Sequence, residues 1–182
     1  GHTVTPQALM AALEQHVAAD GIIALDTGDH TIWFNRIFRA EKQMILFSGK
    51  WRSMGFALPA AISAKLQYPG KEVTALTGDG SFLTTAMELA TLVKYQVPVK
   101  IIVANNGVYA AELSKMTAAG YQPYGVDLTN PDFAALAAAF GIRSYRAETP
   151  DELEDALRQM YADDHAALLE VGVTSPSPLA SM

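Results

Sequence analysis

Apolar residues fall into two kinds of pattern along the chain. Short segments that read as strands occur at 22–26, 44–47, 73–77, 99–105, 142–147 and 167–171. The first is an apolar run with no polar alternation, as a strand buried on both faces should be. Between them lie longer stretches in which apolar or small residues return every three or four positions, as one face of a helix requires. These predict helices from Pro6 to about 20, at 31–39, 55–67 and 84–95, from Asn130-Pro131 to about 140, and behind Thr149. Thr5-Pro6 and Thr149-Pro150-Asp151-Glu152 are start signals, each with a capping hydroxyl followed by proline at the first helical position. The last helix carries Leu153, Ala156, Leu157, Met160 and Tyr161 as one stripe. Residues 108–129 break the rhythm with polar and small residues, and a connection that long is usually functional or mobile.

Strand and helix alternate throughout, which predicts an α/β fold: a doubly wound, mainly parallel six-stranded sheet with helices on both faces. With 182 residues the chain is expected to be a single domain, with 174–182 a tail. Gly1-His2 reads as an expression remnant, so the chain is expected to be an excised piece. The net charge of −6 argues against nucleic acid as a partner. The absence of cysteine excludes disulfides and thiol chemistry and fits a cytoplasmic setting. No apolar run reaches the roughly 18–20 residues of a membrane span.

The candidate chemistry sits at strand ends, where doubly wound sheets bind ligands. The first strand ends in Asp26-Thr27-Gly28-Asp29-His30, the third in Gly78-Asp79-Gly80-Ser81, and the fourth in Asn105-Asn106-Gly107. One helix joins the third and fourth strands. If they are sheet neighbours their ends lie about 5 Å apart. Asp79 and Asn106, 27 positions apart, would then converge. Their hard oxygens suit Mg²⁺, which keeps phosphate oxygens and water in its remaining positions. Gly78 and Gly80 allow a sharp turn, and Ser81 opens a helix end that favours an anion. An acidic chain that binds a diphosphate needs such a bridge. The third glycine of a dinucleotide fingerprint is missing, which disfavours a nicotinamide-type domain; no P-loop or nucleophile elbow is present.

Gly78-Asp79-Gly80-Ser81 followed by Asn105-Asn106 resembles the GDG…NN signature of thiamine-diphosphate enzymes. Thr27-Gly28-Asp29-His30-Thr31-Ile32-Trp33 is similar to the diphosphate-contacting stretch of acetolactate synthases, with Asp29 in place of a glutamine. Ser53-Met54-Gly55-Phe56-Ala57-Leu58-Pro59-Ala60-Ala61 resembles a segment shared by acetolactate synthases and pyruvate oxidases, as does Tyr124-Gly125-Val126-Asp127. The resemblance implies the C-terminal diphosphate-binding (PP) domain of an enzyme that decarboxylates a 2-oxo acid such as pyruvate. It implies Mg²⁺ on Asp79, Asn106 and the Val108 carbonyl, with thiamine diphosphate held by Gly28, Asp29, His30, Ser53, Met54, Gly78, Asp79, Gly80, Ser81, Asn106, Val108 and Tyr109. Met54 would prop the bent cofactor. FAD, where such enzymes use it, would belong to a domain this chain lacks.

Asn106-Gly107-Val108-Tyr109-Ala110-Ala111-Glu112 departs toward the 2-oxo acid decarboxylases, in which the matching glutamate handles protons; Glu112 is therefore the candidate catalytic residue. The glutamate that activates the thiamine ring lies, in this family, on a pyrimidine-binding (PYR) domain, usually of a neighbouring subunit. The resemblance therefore implies a PYR partner, a homo-oligomer in the full enzyme, and little activity from this chain alone. Three readings stay open: a synthase- or oxidase-type PP domain, a decarboxylase proper, and a non-catalytic module that only binds cofactor.

Overall fold

The computed structural model describes residues 4–174; Gly1-His2 and the tail from 175 lie outside them. The strands are β1 (Ile22–Leu25), β2 (Met44–Phe47), β3 (Val73–Gly78), β4 (Lys100–Asn105), β5 (Arg143–Ala147) and β6 (Ala167–Gly172). The helices are α1 (Pro6–His16), α2 (Asp29–Ile37), α3 (Ala57–Gln67), α4 (Asp79–Thr85), α5 (Leu89–Tyr95), α6 (Ala110–Ala118), α7 (Phe133–Ala139) and α8 (Pro150–Tyr161), with a 3₁₀ turn at Ala86–Glu88. The described strands form one wholly parallel sheet in the order β2-β1-β3-β4-β6-β5.

Alternate residues of the central strands feed two cores. Ile23, Leu25, Leu76, Ile102 and Leu169 meet α1, α2 and α8 on one face. Ile22, Ala24, Ala75, Ile101, Val103 and Leu168 meet α3, α4, α5 and α7 on the other. The apolar runs are therefore two-sided, which is why they showed no alternation in sequence. The capping expectations hold: Thr5 accepts the Ala8 N–H, and Thr149 with Glu152 forms a reciprocal capping box.

Three helices differ from expectation. Helix begins at Asp79, directly after β3, rather than at 84, because Gly78 leaves the strand still extended and the Asp79 carboxylate accepts the next N–H. The α2 helix likewise starts at Asp29, which places Asp29 and His30 in its first turn. The irregular 108–129 segment contains α6; only Ala110 and Ser114 of that helix are buried, so its apolar stripe is faint.

From β1 the chain moves outward to β2, then returns to the opposite side of β1 as β3. This reversal separates the loops that follow β1 and β3 and opens a crevice between them at the carboxyl edge. Parallel pairing of β3 with β4 brings the Asn105–Asn106 corner to the same edge, with Gly78 opposite Ala104.

Candidate functional site

A cavity of about 110 Å³ opens at this switch point. Its walls include Gly28, Asp29, His30, Met54, Gly78, Asp79, Gly80, Ser81, Asn106, Val108, Tyr109 and Glu112. Of the residues singled out from sequence, Ser53 alone does not line it: Ser53 is exposed and its N–H donates to Ser48 Oγ. Residues from the ends of β1, β3 and β4 are thus gathered into one wall, as the motif spacing required.

Asp79 is buried, and its carboxylate is held by donors. Oδ1 accepts from the Gly80 N–H at 2.9 Å; Oδ2 accepts from the Gly107 N–H and from Asn130 Nδ2, both at 2.8 Å. Burial pushes its pKa above the usual carboxylate value, against the pull of these hydrogen bonds. Asn106 Oδ1 accepts the Val108 N–H at 3.2 Å. Val108 faces Asp127 in a bridge whose bonds run from Leu128 N–H to the Gly107 carbonyl and from Tyr109 N–H to the Val126 carbonyl. That pattern leaves the Val108 carbonyl out of the ladder. Gly80 has a steric role: a methyl there would overlap the Tyr109 ring. Ser81 spends its hydroxyl on the Thr27 carbonyl at 2.7 Å, tying the loops after β1 and β3 together.

The α2 residues at the cavity carry buried polar atoms without partners: Asp29 Oδ2, His30 Nε2 and Trp33 Nε1. Burial is the largest influence on both acidic and basic groups here. It raises the Asp29 pKa and lowers that of His30 to about 4. Between about pH 4 and 6.5 the unfolded chain therefore binds a proton that the folded His30 refuses. The His30 contribution is complete above the unfolded value and is lost as pH falls toward the folded one. At roughly 1.4 kcal/mol per unit it amounts to a few kcal/mol. The raised Asp29 and Asp79 act in the opposite sense, favouring the folded state at low pH, so a difference measurement isolates the histidine. Urea unfolding from pH 4 to 7 should show a stability slope that His30→Gln flattens; an unchanged slope would refute the assignment.

Two roles were not read from sequence. Asp26, 2 % exposed, accepts N–H bonds from Thr27, Gly55 and Phe56 on Oδ1 and from Ala57 on Oδ2, together with the Thr77 hydroxyl. Because α3 lacks a capping side chain of its own, Asp26 supplies that function from the end of β1 and fixes the Met54 segment. A carboxylate ending a buried strand was the available signal. Asn130, expected only to start a helix, instead bonds Asp79 and Asn105; the helix cap is Asp132. Glu112 stands at the exposed rim and pairs with Lys115 at 2.7 Å.

Residues 26–171 match the family model described as thiamine pyrophosphate enzyme, C-terminal TPP binding domain. The chain belongs to that family. This TPP-binding domain is 36% identical over 166 residues to an acetolactate synthase of Bacillus subtilis, covering 91% of the chain and 28% of that protein. It is 32% identical over 176 residues to the large subunit of acetolactate synthase isozyme 2 of Escherichia coli, covering 95% of the chain and 32% of the relative. The acetolactate synthase large subunit of Lactococcus lactis is 30% identical over 186 residues, covering the whole chain and 32% of the relative. The TPP-binding domain thus spans about a third or less of these relatives. Among the described residues no helix is long and apolar enough to cross a membrane.

Proposed function

We propose that the chain binds thiamine diphosphate through Mg²⁺, as the diphosphate-holding domain of an enzyme that decarboxylates a pyruvate-type 2-oxo acid, of acetolactate synthase type. The observation that carries this reading is the donor set. None of the residues lining the cavity is Lys or Arg, yet Asp79 and Asn106 bring hard oxygens to it. A diphosphate in such a site needs a divalent cation as its countercharge, and Asp79, Asn106 and the Val108 carbonyl suit Mg²⁺. His30 donates a ring N–H to the Asp26 carbonyl, so its unpartnered, buried Nε2 is an acceptor, open to a hydroxyl or water held at the bound diphosphate. When bound, thiamine diphosphate supplies carbanion stabilisation; the protein contributes position and electrostatics. Gly78 and Gly80 let the His30 and Tyr109 rings close in at the cavity edge, and Met54, fixed through Asp26, supports the cofactor body.

The relatives are longer than this chain, so the activating glutamate and the remainder of the substrate site are assigned to a PYR partner. Trp51, Met54, Leu83 and Met87 are exposed near the segments joined by the Thr85–Gly55 hydrogen bond, and offer that partner an apolar surface. By this reading the domain alone binds cofactor and turns over nothing.

Cofactor with Mg²⁺ at about a hundred times the dissociation constant should add roughly 2.7 kcal/mol and raise the melting temperature by about 5–10 °C. Absence of both a thermal shift and calorimetric heat at saturation would refute binding by the isolated chain. Adding a purified PYR domain should then yield pyruvate decarboxylation, which neither part gives alone.

A further inference from the structure

A line of hydrogen bonds runs from the protein surface to Asp79. Arg146 donates to Glu170 Oε2 at 3.1 Å and also pairs with Asp132 at 2.7 Å. Glu170 is buried on β6, and its Oε2 also accepts the Ala134 N–H at 3.2 Å. Its Oε1 accepts Asn105 Nδ2 at 2.8 Å. Asn105 Oδ1 accepts Asn130 Nδ2 at 2.9 Å, and the same Asn130 nitrogen donates to Asp79 Oδ2 at 2.8 Å.

The direction of each bond follows from the chemistry of the ends. Arginine only donates and a carboxylate only accepts. Asn105 must therefore turn its NH₂ toward Glu170 and its carbonyl toward Asn130. Asn130 must in turn present NH₂ to both Asn105 and Asp79. Its own carbonyl oxygen is left buried without a partner. An amide with only local interests would turn to satisfy that oxygen; Asn130 is held against this by its two acceptors. The arrangement costs stability locally and fixes the rotation of the Asp79 carboxylate.

We infer that Arg146, Glu170, Asn105 and Asn130 are positioning residues which orient the Asp79 carboxylate for a divalent cation. This rests on the proposed Mg²⁺ role of Asp79. Support of this kind, one bond removed from a metal ligand, typically changes metal affinity by about 10–100-fold. Replacing Glu170 by glutamine keeps an oxygen toward Arg146 and the Ala134 N–H, so an NH₂ meets Asn105, which reverses the Asn105 amide and removes the acceptor that orients Asn130.

The test uses the full chain with thiamine diphosphate and Mg²⁺, and reads two half-saturation points from thermal shifts. One is for Mg²⁺ at saturating cofactor; the other is for cofactor at saturating Mg²⁺. Glu170→Gln should raise the first by about tenfold or more and leave the second within about twofold. Asn130→Ala, outside the sheet, should do the same and serves where Glu170→Gln does not fold. A purely structural role would lower the melting temperature of the cofactor-free protein without this split. If wild type requires Mg²⁺ and both half-saturation points of the variants stay near wild type, the positioning role is refuted while the metal site stands. If wild type shows no Mg²⁺ requirement, the metal reading and the positioning role fall together.

Discussion

Asp26→Ala should lower unfolding stability by about 3–5 kcal/mol, one of the two largest effects expected from a single substitution in this chain. The side chain accepts four backbone N–H groups and the Thr77 hydroxyl, and it sits 2 % exposed between β1 and the start of α3. Alanine leaves several of these donors without a partner, each at a cost of roughly 1–3 kcal/mol when water cannot reach it. Some relaxation at Gly55 and Phe56 limits the sum. Asp26→Asn keeps the shape but turns an NH₂ toward N–H donors, so a loss of about 2 kcal/mol is expected there. Urea unfolding measures both; a loss under about 1 kcal/mol for the alanine variant would show that the carboxylate is not the joint described. The substitution should also loosen the Met54 segment and weaken cofactor binding beyond what global stability accounts for.

The second large effect concerns Asp79. In Asp79→Ala the thermal shift produced by thiamine diphosphate should lose its dependence on Mg²⁺ altogether. Of the lining carboxylates Asp29, Asp79 and Glu112, Asp79 is the one hydrogen-bonded to the 106–108 turn, through the Gly107 N–H. An Mg²⁺ octahedron that loses its one charged protein ligand is left with two neutral ones, too few to hold the ion on a chain that is acidic overall. The cofactor-free variant also loses the acceptor for Gly80, Gly107 and Asn130, so its melting temperature is compared without ligand first. A retained Mg²⁺ response would place the cation elsewhere.

What could be read from sequence was whatever depends on short range. Each expected strand formed, with ends shifted by a residue or so; for the central strands burial on both faces leaves a local signature, whereas the edge strands β2 and β5 are only partly buried. The convergence of Asp79 and Asn106 was legible because one βαβ unit connects them; each residue alone could serve a cap or a turn, and the pair at this spacing carried the signal. Helical structure at Asp79 was missed since Gly78-Asp79-Gly80 has the composition of a loop, and α6 because a mostly exposed helix shows little apolar period. The functions of Asp26, Asn105, Asn130 and Glu170 depend on partners about 24 to 65 residues away, and no periodicity encodes such pairings.

The order of the strands has a consequence for synthesis. In the sheet β6 lies between β4 and β5, although it is the last of them to leave the ribosome. Until residues 167–172 emerge, β5 has no strand to pair with, Glu170 is absent, and the asparagines behind Asp79 have nothing to orient them. The residues that line the pocket all precede β6, so the late insertion closes the sheet and adds the support behind Asp79 without adding to the lining. A nascent chain halted before β6 should therefore respond to thiamine diphosphate and Mg²⁺ more weakly than the full chain, even with Asp79 and Asn106 long since translated.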